Sequence, residues 1–128
     1  MQARHVLTIL AVADVDRALG FYERAFGCPV AVRTAVYVEL ALAGGMRLGL
    51  YQREGFARNT GTMPVAIPPD AVGAAELYFH VDDLVGAAQR LRRAGARELA
   101  APAPREWGDE VGYFADPDGH VLALARPL

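Results

Sequence analysis

Five side chains of this sequence have the types and spacing expected of a small-molecule binding site: Arg47, Tyr51, Glu76, Tyr78 and Trp107. Aromatic walls with a few placed polar groups are typical of pockets for organic molecules. A carboxylate such as Glu76 can orient a ligand or transfer a proton, although it can equally be a structural carboxylate with a partner. Trp107 either stacks on a planar ligand or packs within the fold. Tyr51 and Tyr78 are ligand contacts or core aromatics.

Other kinds of chemistry have no motif in this chain. The sequence contains no glycine-rich phosphate loop, no helical zinc motif and no Gly-x-Ser-x-Gly elbow. Cys28 is the one cysteine, so neither an intrachain disulfide nor a zinc cluster of cysteines is expected. The net charge is −2, which gives no reason to expect nucleic acid as a partner. No stretch approaches the length of a membrane span, and we expect a cytoplasmic protein.

The elements of the first half follow from its apolar periodicity. An apolar run at 5–13 predicts a strand, and Asp14 is placed to cap a helix that ends at Gly27. Strands are then predicted at 30–33, 35–43 and 46–52, the last two joined by a turn at Gly44 and Gly45. The first half therefore has the order βαβββ.

The second half repeats this order. A strand at 76–81 precedes a helix at 84–94, which Asp82 or Asp83 caps and Gly95 ends. A short strand at 97–99, a proline-rich loop at 101–104, and strands at 111–115 and 120–125 follow. Residues 12–15 match residues 81–84, and residues 45–50 match 119–124.

This internal duplication predicts an α+β fold of two βαβββ modules, about 5–52 and 75–126. Their sheets should curve into one cup-shaped mixed sheet with the helices on the outer face. Leu48, Leu50, Leu122 and Leu124 should lie under the helices. The connecting loop 53–74 interrupts the periodicity with prolines and glycines, and it is either a spacer or a cover for the pocket.

Three segments carry a resemblance to a known family. Residues 12–27 (VADVDRALGFYERAFG), 78–83 (YFHVDD) and 113–124 (YFADPDGHVLAL) resemble the vicinal oxygen chelate superfamily, which includes glyoxalase, bleomycin resistance proteins and extradiol dioxygenases. The resemblance implies paired modules around a cup and a homodimer.

Metal enzymes of that superfamily hold their ion with four His, Gln or Glu ligands. The resemblance maps those positions onto Leu7, Gly49, Glu76 and Ala123, of which Glu76 alone can ligate. One carboxylate cannot hold a divalent cation against water. The small residues Gly49 and Ala123 are expected to leave space for an organic molecule instead.

A displaced metal site made of His5, Glu76 and His80 is the alternative. Strand alternation puts His80 on the face of Glu76, and it puts His5 on the face of Leu7. Hydrogen-bonded histidines that bind no metal are the competing interpretation. We expect no cofactor, and a divalent metal remains open.

Three functions follow as hypotheses. The first is a metal-independent protein that binds a small aromatic or antibiotic-like molecule. The second is a glyoxalase-type lyase or isomerase that uses a displaced metal or Glu76 as a base. The third is a structural or interaction domain with a vestigial cup. Neither nucleic acid nor a membrane is an expected partner. The chain is expected to form a homodimer.

Overall fold

The computed structural model describes all residues 1–128, which form two compact units. Unit one comprises Met1–Glu23 and Gly27–Ala66, and unit two comprises Arg24–Phe26 and Ile67–Leu128. Each unit contains a four-stranded mixed sheet. The prediction of an α+β fold built from two βαβββ modules is confirmed.

Unit one is built on a sheet with the strand order β1-β4-β3-β2, in which β1 is parallel to β4 and the other pairs are antiparallel. Its elements are β1 (Leu7–Val12), α1 (Val15–Phe26), β2 (Val30–Arg33), β3 (Tyr37–Ala41), β4 (Arg47–Gln52) and α2 (Arg53–Thr60). The last turn of α1 belongs to unit two.

Unit two repeats the same arrangement, with the strand order β5-β8-β7-β6 and β5 parallel to β8. Its elements are β5 (Glu76–His80), α3 (Leu84–Ala94), β6 (Arg97–Pro104), β7 (Asp109–Ala115) and β8 (Val121–Pro127). No helix of the chain is long and apolar enough to span a bilayer.

The predicted helix ends are confirmed. The Asp14 carboxylate accepts hydrogen bonds from the backbone N–H groups of Asp16 and Arg17, which are free in the first turn of a helix. Asp83, rather than Asp82, caps α3 in the same way. Gly27 and Gly95 end the two helices at positive φ, a conformation that glycine adopts without steric cost.

The central strand of each sheet has one face in the core. Leu48 and Leu50 of β4, and Leu122 and Leu124 of β8, are at most 1% exposed, as predicted. The intervening residues lie on the opposite face because side chains alternate along a strand. That opposite face carries Gly49 in unit one and Ala123 in unit two.

The connecting segment departs from the prediction at its start. Residues 53–60 form α2, which packs against β4 and β1, where the sequence predicted a loop without regular structure. Gly55 is one of the glycines that interrupt the apolar periodicity of this segment, but it lies inside α2 and is buried. A Cβ at Gly55 would be 2.3 Å from the Tyr51 ring, so a glycine lets the helix approach that ring.

Strand β6 is also longer than predicted. It continues through Pro102 to Pro104, where the sequence predicted a proline-rich loop. β6 lies at the edge of its sheet, where proline is tolerated because one side of the strand needs no hydrogen-bond partner. Its pairing with β7 is irregular, with register shifts between Glu98 and Ala100 and between Ala100 and Ala103.

Candidate functional site

The five predicted site residues divide between the two units. Arg47 and Tyr51 lie on β4 of unit one, whereas Glu76 and Tyr78 of β5 and Trp107 of the β6–β7 turn lie in unit two. Two sets of side chains contain these residues. We call them the Tyr37 cluster (Tyr37, Glu39, Arg47, Tyr51 and Asn59) and the Tyr78 cluster (Tyr78, His80, Trp107 and Asp109, together with Glu76, which lies two residues before Tyr78 on the same face of β5).

The Tyr37 cluster is centred on the carboxylate of Glu39. The Tyr37 hydroxyl donates to Glu39 Oε1 at 2.7 Å, and Arg47 Nη1 donates to Glu39 Oε2 at 2.6 Å. Tyr37 and Glu39 are two residues apart on β3 and therefore share a face, while Arg47 reaches them from β4. The partner of Arg47 is thus Glu39, so the positive charge of Arg47 is balanced within unit one.

These contacts set the protonation states of the cluster. The Tyr37 hydrogen bond, and then the Arg47 guanidinium, hold the pKa of the Glu39 carboxyl below its ordinary value. Burial, and then the hydrogen bond to Glu39, raise the pKa of the Tyr37 hydroxyl. Around neutral pH Glu39 is therefore an anion with both oxygens engaged, which makes it a poor base.

The space expected at Gly49 is filled. A Cβ built on Gly49 would be 2.6 Å from the Tyr37 hydroxyl oxygen and 3.0 Å from Ile9 Cγ1. The Tyr37 side chain thus lies where a metal ligand or an organic molecule was expected. The prediction that Gly49 leaves a vacant position is wrong because a tyrosine on the neighbouring strand occupies it.

Tyr51 is held on both sides within unit one. Its ring meets the Tyr37 ring edge-on, with centroids 5.1 Å apart, and its hydroxyl accepts from Asn59 Nδ2 of α2 at 3.1 Å. Both tyrosines are half-buried. The Tyr37 cluster is therefore a closed network with few groups left to bind a ligand.

The Tyr78 cluster is more open. The Tyr78 hydroxyl donates to Asp109 Oδ2 at 2.5 Å and accepts from Trp107 Nε1 at 2.9 Å. His80 Nε2 is 3.5 Å from the same Asp109 oxygen, and the His80 ring lies 5.9 Å from the Tyr78 ring. Tyr78 is 40% exposed and Trp107 60% exposed. The structure thus brings together two of the predicted site residues.

Small residues on the central strand let this network form. Tyr78 is on β5 and Asp109 on β7, with β8 between them, and Tyr78 is in register with Ala123. Ala123 and Ala125 are fully buried and project little above the sheet, so the tyrosine can reach across β8. Partial burial, and then the hydrogen bond to Asp109, raise the pKa of the Tyr78 hydroxyl, which stays protonated near neutral pH.

Glu76 occupies a different environment from the one predicted. It is the first residue of β5, as the predicted strand 76–81 implies, but β5 is an edge strand and the Glu76 side chain is exposed. Alternation puts it on the face of Tyr78 and His80. Arg47 is not its partner, and Glu76 forms no ion pair. It is therefore a carboxylate available to a ligand.

The side chains present do not fit the metal of the related enzymes. In unit one, Leu7 and Gly49 have no ligand atom to offer, and in unit two Ala123 has none, which leaves Glu76 alone. His5 is exposed beside the Thr8 hydroxyl, at 3.1 Å. Nowhere does the chain assemble three or more His, Cys, Asp or Glu side chains able to hold an ion.

Sequence reasoning missed Tyr37, Glu39, Asn59 and Asp109. Tyr37 and Glu39 alternate with buried Val38 and Leu40, but the predicted two-residue turn at Gly44 and Gly45 would have paired Glu39 with Leu50, one residue from its observed partner Gly49. Asp109 was left outside the predicted strand, which was expected to begin two residues later. Neither carboxylate has a sequence signal of its own, because its role depends on a partner across the sheet.

The comparisons agree with this fold. The family model for the Glyoxalase/Bleomycin resistance protein/Dioxygenase superfamily matches residues 3–124. YraH of Bacillus subtilis is 26% identical over 121 residues, covering 93% of this chain and 94% of YraH. A glyoxalase-related enzyme from Fulvimarina pelagi superposes with a TM-score of 0.86 at 23% identity, covering 98% of this chain and 88% of that enzyme.

A glyoxalase/bleomycin resistance protein/dioxygenase from Nocardioides gives a TM-score of 0.81 at 21% identity, covering 100% of this chain and 85% of that protein. At such identities the structural matches show the fold alone. The family model, by contrast, spans nearly the whole chain. The chain therefore belongs to the Glyoxalase/Bleomycin resistance protein/Dioxygenase superfamily.

Proposed function

We propose that this chain binds a small planar cation at the Tyr78 cluster, without a metal ion. The observation that carries the proposal is the pair of exposed aromatic side chains, Trp107 and Tyr78, joined by a hydrogen bond beside two carboxylates. Rigid aromatic side chains provide much contact area at a low entropy cost, and they are frequent where proteins bind ligands.

The hydrogen-bonding inventory of the cluster supports a cationic ligand. The indole N–H of Trp107 is used by the Tyr78 oxygen, and the Tyr78 hydrogen is used by Asp109. The aromatic pair thus has no donor left to offer. Asp109 uses Oδ2 for its contacts, which leaves Oδ1 and the whole Glu76 carboxylate as acceptors. A ligand that supplies N–H donors and a positive charge complements this set.

The aromatic faces supply the second part of the recognition. A cation over the face of a tryptophan or tyrosine ring is attracted by the ring quadrupole, and a planar ring adds stacking contacts. A planar aromatic amidinium combines these features, because it presents a flat charged group and several N–H donors. The Tyr37 cluster has its carboxylate already paired with Arg47, so it is less suited to this ligand class.

Fluorescence titration tests the proposal directly. Trp107 is the one tryptophan, so its emission reports on this cluster alone. We expect 2-naphthamidine to quench Trp107 saturably, and neutral 2-naphthamide to bind more weakly. An exposed ion pair contributes at most about 1 kcal/mol, so Glu76→Gln should weaken naphthamidine roughly threefold to fivefold and leave naphthamide unchanged.

Controls separate binding from general effects on the protein. Glu98→Gln removes a comparably exposed carboxylate from β6 of the same unit and should leave both affinities unchanged. Trp107→Phe, followed by calorimetry, should weaken both compounds because they share the aromatic surface. Equal binding of the two compounds, or binding indifferent to both Glu76→Gln and Trp107→Phe, would contradict the site.

A further inference from the structure

The turn between β6 and β7 carries Trp107 and is closed by its own backbone. Arg105 N donates to the Asp109 carbonyl at 2.8 Å, and Gly108 N donates to the Arg105 carbonyl at 3.2 Å. Gly108 has φ 97°, a conformation that favours glycine. Gly108 and these two hydrogen bonds thus define the turn itself, but the orientation of the turn on the sheet depends on the two strands that lead into it.

One of those strands is poorly anchored. β6 is an edge strand that contains Pro102 and Pro104, and its ladder with β7 shifts register twice before the turn. Register shifts leave residues without regular partners and increase local bending. The backbone ladder is therefore a weak means of holding Trp107 at a defined distance from Tyr78.

The side chain of Arg105 compensates for this irregularity. It folds back onto the sheet, and its Nη2 donates to Val111 O of β7 at 3.0 Å and to Ala101 O of β6 at 3.4 Å. Ala101 lies within the second register shift. The guanidinium also lies over the Tyr113 ring, 5.1 Å from its centroid. One planar group thus joins both strands and a half-buried aromatic side chain.

The position of Arg105 costs folding free energy that a solvent-exposed arginine does not lose. Its Nε is buried without a hydrogen-bond partner. A buried donor without an acceptor opposes folding, so the other contacts of the guanidinium must outweigh that loss. Lysine cannot replace these contacts, because it lacks the planar group that donates in two directions and stacks on a ring.

We infer that Arg105 is a positioning residue for the ligand site: it holds the β6–β7 turn so that Trp107 reaches Tyr78. Arg105 does not have to touch the ligand, and its effect passes through the turn to the Trp107–Tyr78 hydrogen bond. The inference deepens the proposed function and rests on it for the consequence for binding. Its structural part, the orientation of Trp107, can be measured with no ligand present.

NMR gives the direct measurement. A ¹⁵N spectrum contains one indole N–H signal, because Trp107 is the one tryptophan. We expect Arg105→Met to shift this signal and to accelerate its hydrogen exchange, since the indole loses its defined partner. Arg105→Lys should be intermediate. Arg126→Met removes another half-exposed arginine from the same sheet, one paired with Glu110, and should leave the signal in place.

The consequence for the ligand is measured on the same variants. Arg105→Met should weaken 2-naphthamidine by about threefold to tenfold, through the loss of one defined aromatic contact. If the folded Arg105→Met protein keeps the wild-type indole signal and exchange rate, the inference is wrong. If the indole signal moves while naphthamidine binding stays unchanged, Arg105 positions Trp107 but the proposed ligand site fails.

A second variant covers the case in which Arg105→Met does not fold. Tyr113→Leu keeps an apolar side chain on β7 and removes the ring under the guanidinium. We expect a smaller shift of the indole signal in the same direction. An unchanged indole signal in folded Tyr113→Leu, together with an unchanged signal in Arg105→Lys, would overturn the positioning role.

Discussion

The Glu39 carboxylate allows a sharp test of the Tyr37 cluster, because its stabilising effect should depend on pH. Glu39 accepts from Tyr37 and Arg47, and both contacts favour its charged form. Its pKa is therefore below the ordinary value of 4.5 in the folded protein. A carboxyl whose pKa is lowered by folding stabilises the protein above the unfolded pKa, and this stabilisation is lost as the pH falls through the folded pKa.

The size of the effect follows from the two contacts. A hydrogen bond to a charged group contributes roughly 1.5–3 kcal/mol, whereas a neutral one contributes about 1 kcal/mol. Arg47 is nearly half exposed, so its ion pair adds at most about 1 kcal/mol. Glu39→Gln keeps a neutral acceptor and should therefore lower the free energy of unfolding at neutral pH by about 1–3 kcal/mol.

Urea denaturation at two pH values measures this loss. With a slope of roughly 2 kcal/mol per M, the midpoint of Glu39→Gln should fall by about 0.5–1.5 M at neutral pH. The difference from the wild type should shrink as the pH falls well below the unfolded pKa, because the wild-type carboxyl then gains its proton and its stabilising contacts weaken. In a double-mutant cycle, Glu39→Gln should lower the free energy of unfolding less in a Tyr37→Phe background than in the wild type. The reason is that the hydrogen bond from Tyr37 is the larger of the two contributions.

Glu110 provides a matched control. It forms a similar cross-strand pair with Arg126, at 2.7 Å and with comparable exposure, but it has no tyrosine donor. Glu110→Gln should cost less than about 1 kcal/mol. The reasoning is refuted if Glu39→Gln costs no more than Glu110→Gln, or if its cost is the same at both pH values.

Three further measurements test the remaining expectations. Gly49→Ala should destabilise unit one by about 1–3 kcal/mol in thermal denaturation, because its Cβ would collide with Tyr37, and a Tyr37→Ala background should remove that cost. Elemental analysis of protein prepared without chelators should give well under one equivalent of divalent metal, since Leu7, Gly49 and Ala123 offer no ligand atoms; near-stoichiometric metal would contradict this. Light scattering should give about twice the 13.7 kDa chain mass, because edge strands and exposed apolar side chains favour self-association, and a monomer would count against it.

Local signals predicted most of the fold. The caps at Asp14 and Asp83 and the glycines at the helix ends act within a few residues, so the sequence contains their whole physical cause. The buried leucines of β4 and β8 follow from alternation. Helix α2 was missed because prolines and glycines interrupt the apolar periodicity of 53–74. The reason for Gly55 within the helix is the Tyr51 ring, a contact that the local pattern does not reveal.

The site was predicted less completely, for a physical reason. Aromatic residues such as Tyr78 and Trp107 can be proposed as site residues from their residue type and, within a strand, from the face on which alternation places them. Glu39 and Asp109 gain their roles from partners on other strands, so they become visible once the register is known. The prediction of empty space at Gly49 was wrong for the same reason. A small residue leaves space unless a side chain from a neighbouring strand fills it.

Both units place a tyrosine beside a small residue on the central strand, Gly49 or Ala123, which the family resemblance maps onto ligand positions of metal enzymes. In unit one Tyr37 lies over Gly49 and donates to Glu39, and in unit two Tyr78 is in register with Ala123 and donates to Asp109. A metal ion compensates the negative charge of a carboxylate, whereas a tyrosine hydroxyl satisfies the carboxylate by a hydrogen bond and leaves it anionic.

The two units then differ in what remains exposed. In unit one Arg47 compensates the negative charge of Glu39, and the two tyrosines are half-buried. In unit two Trp107 donates to the tyrosine rather than to the carboxylate, so negative charge and aromatic surface stay accessible together. A duplicated module can therefore yield one closed network and one open network, depending on the donor placed beside the tyrosine–carboxylate pair.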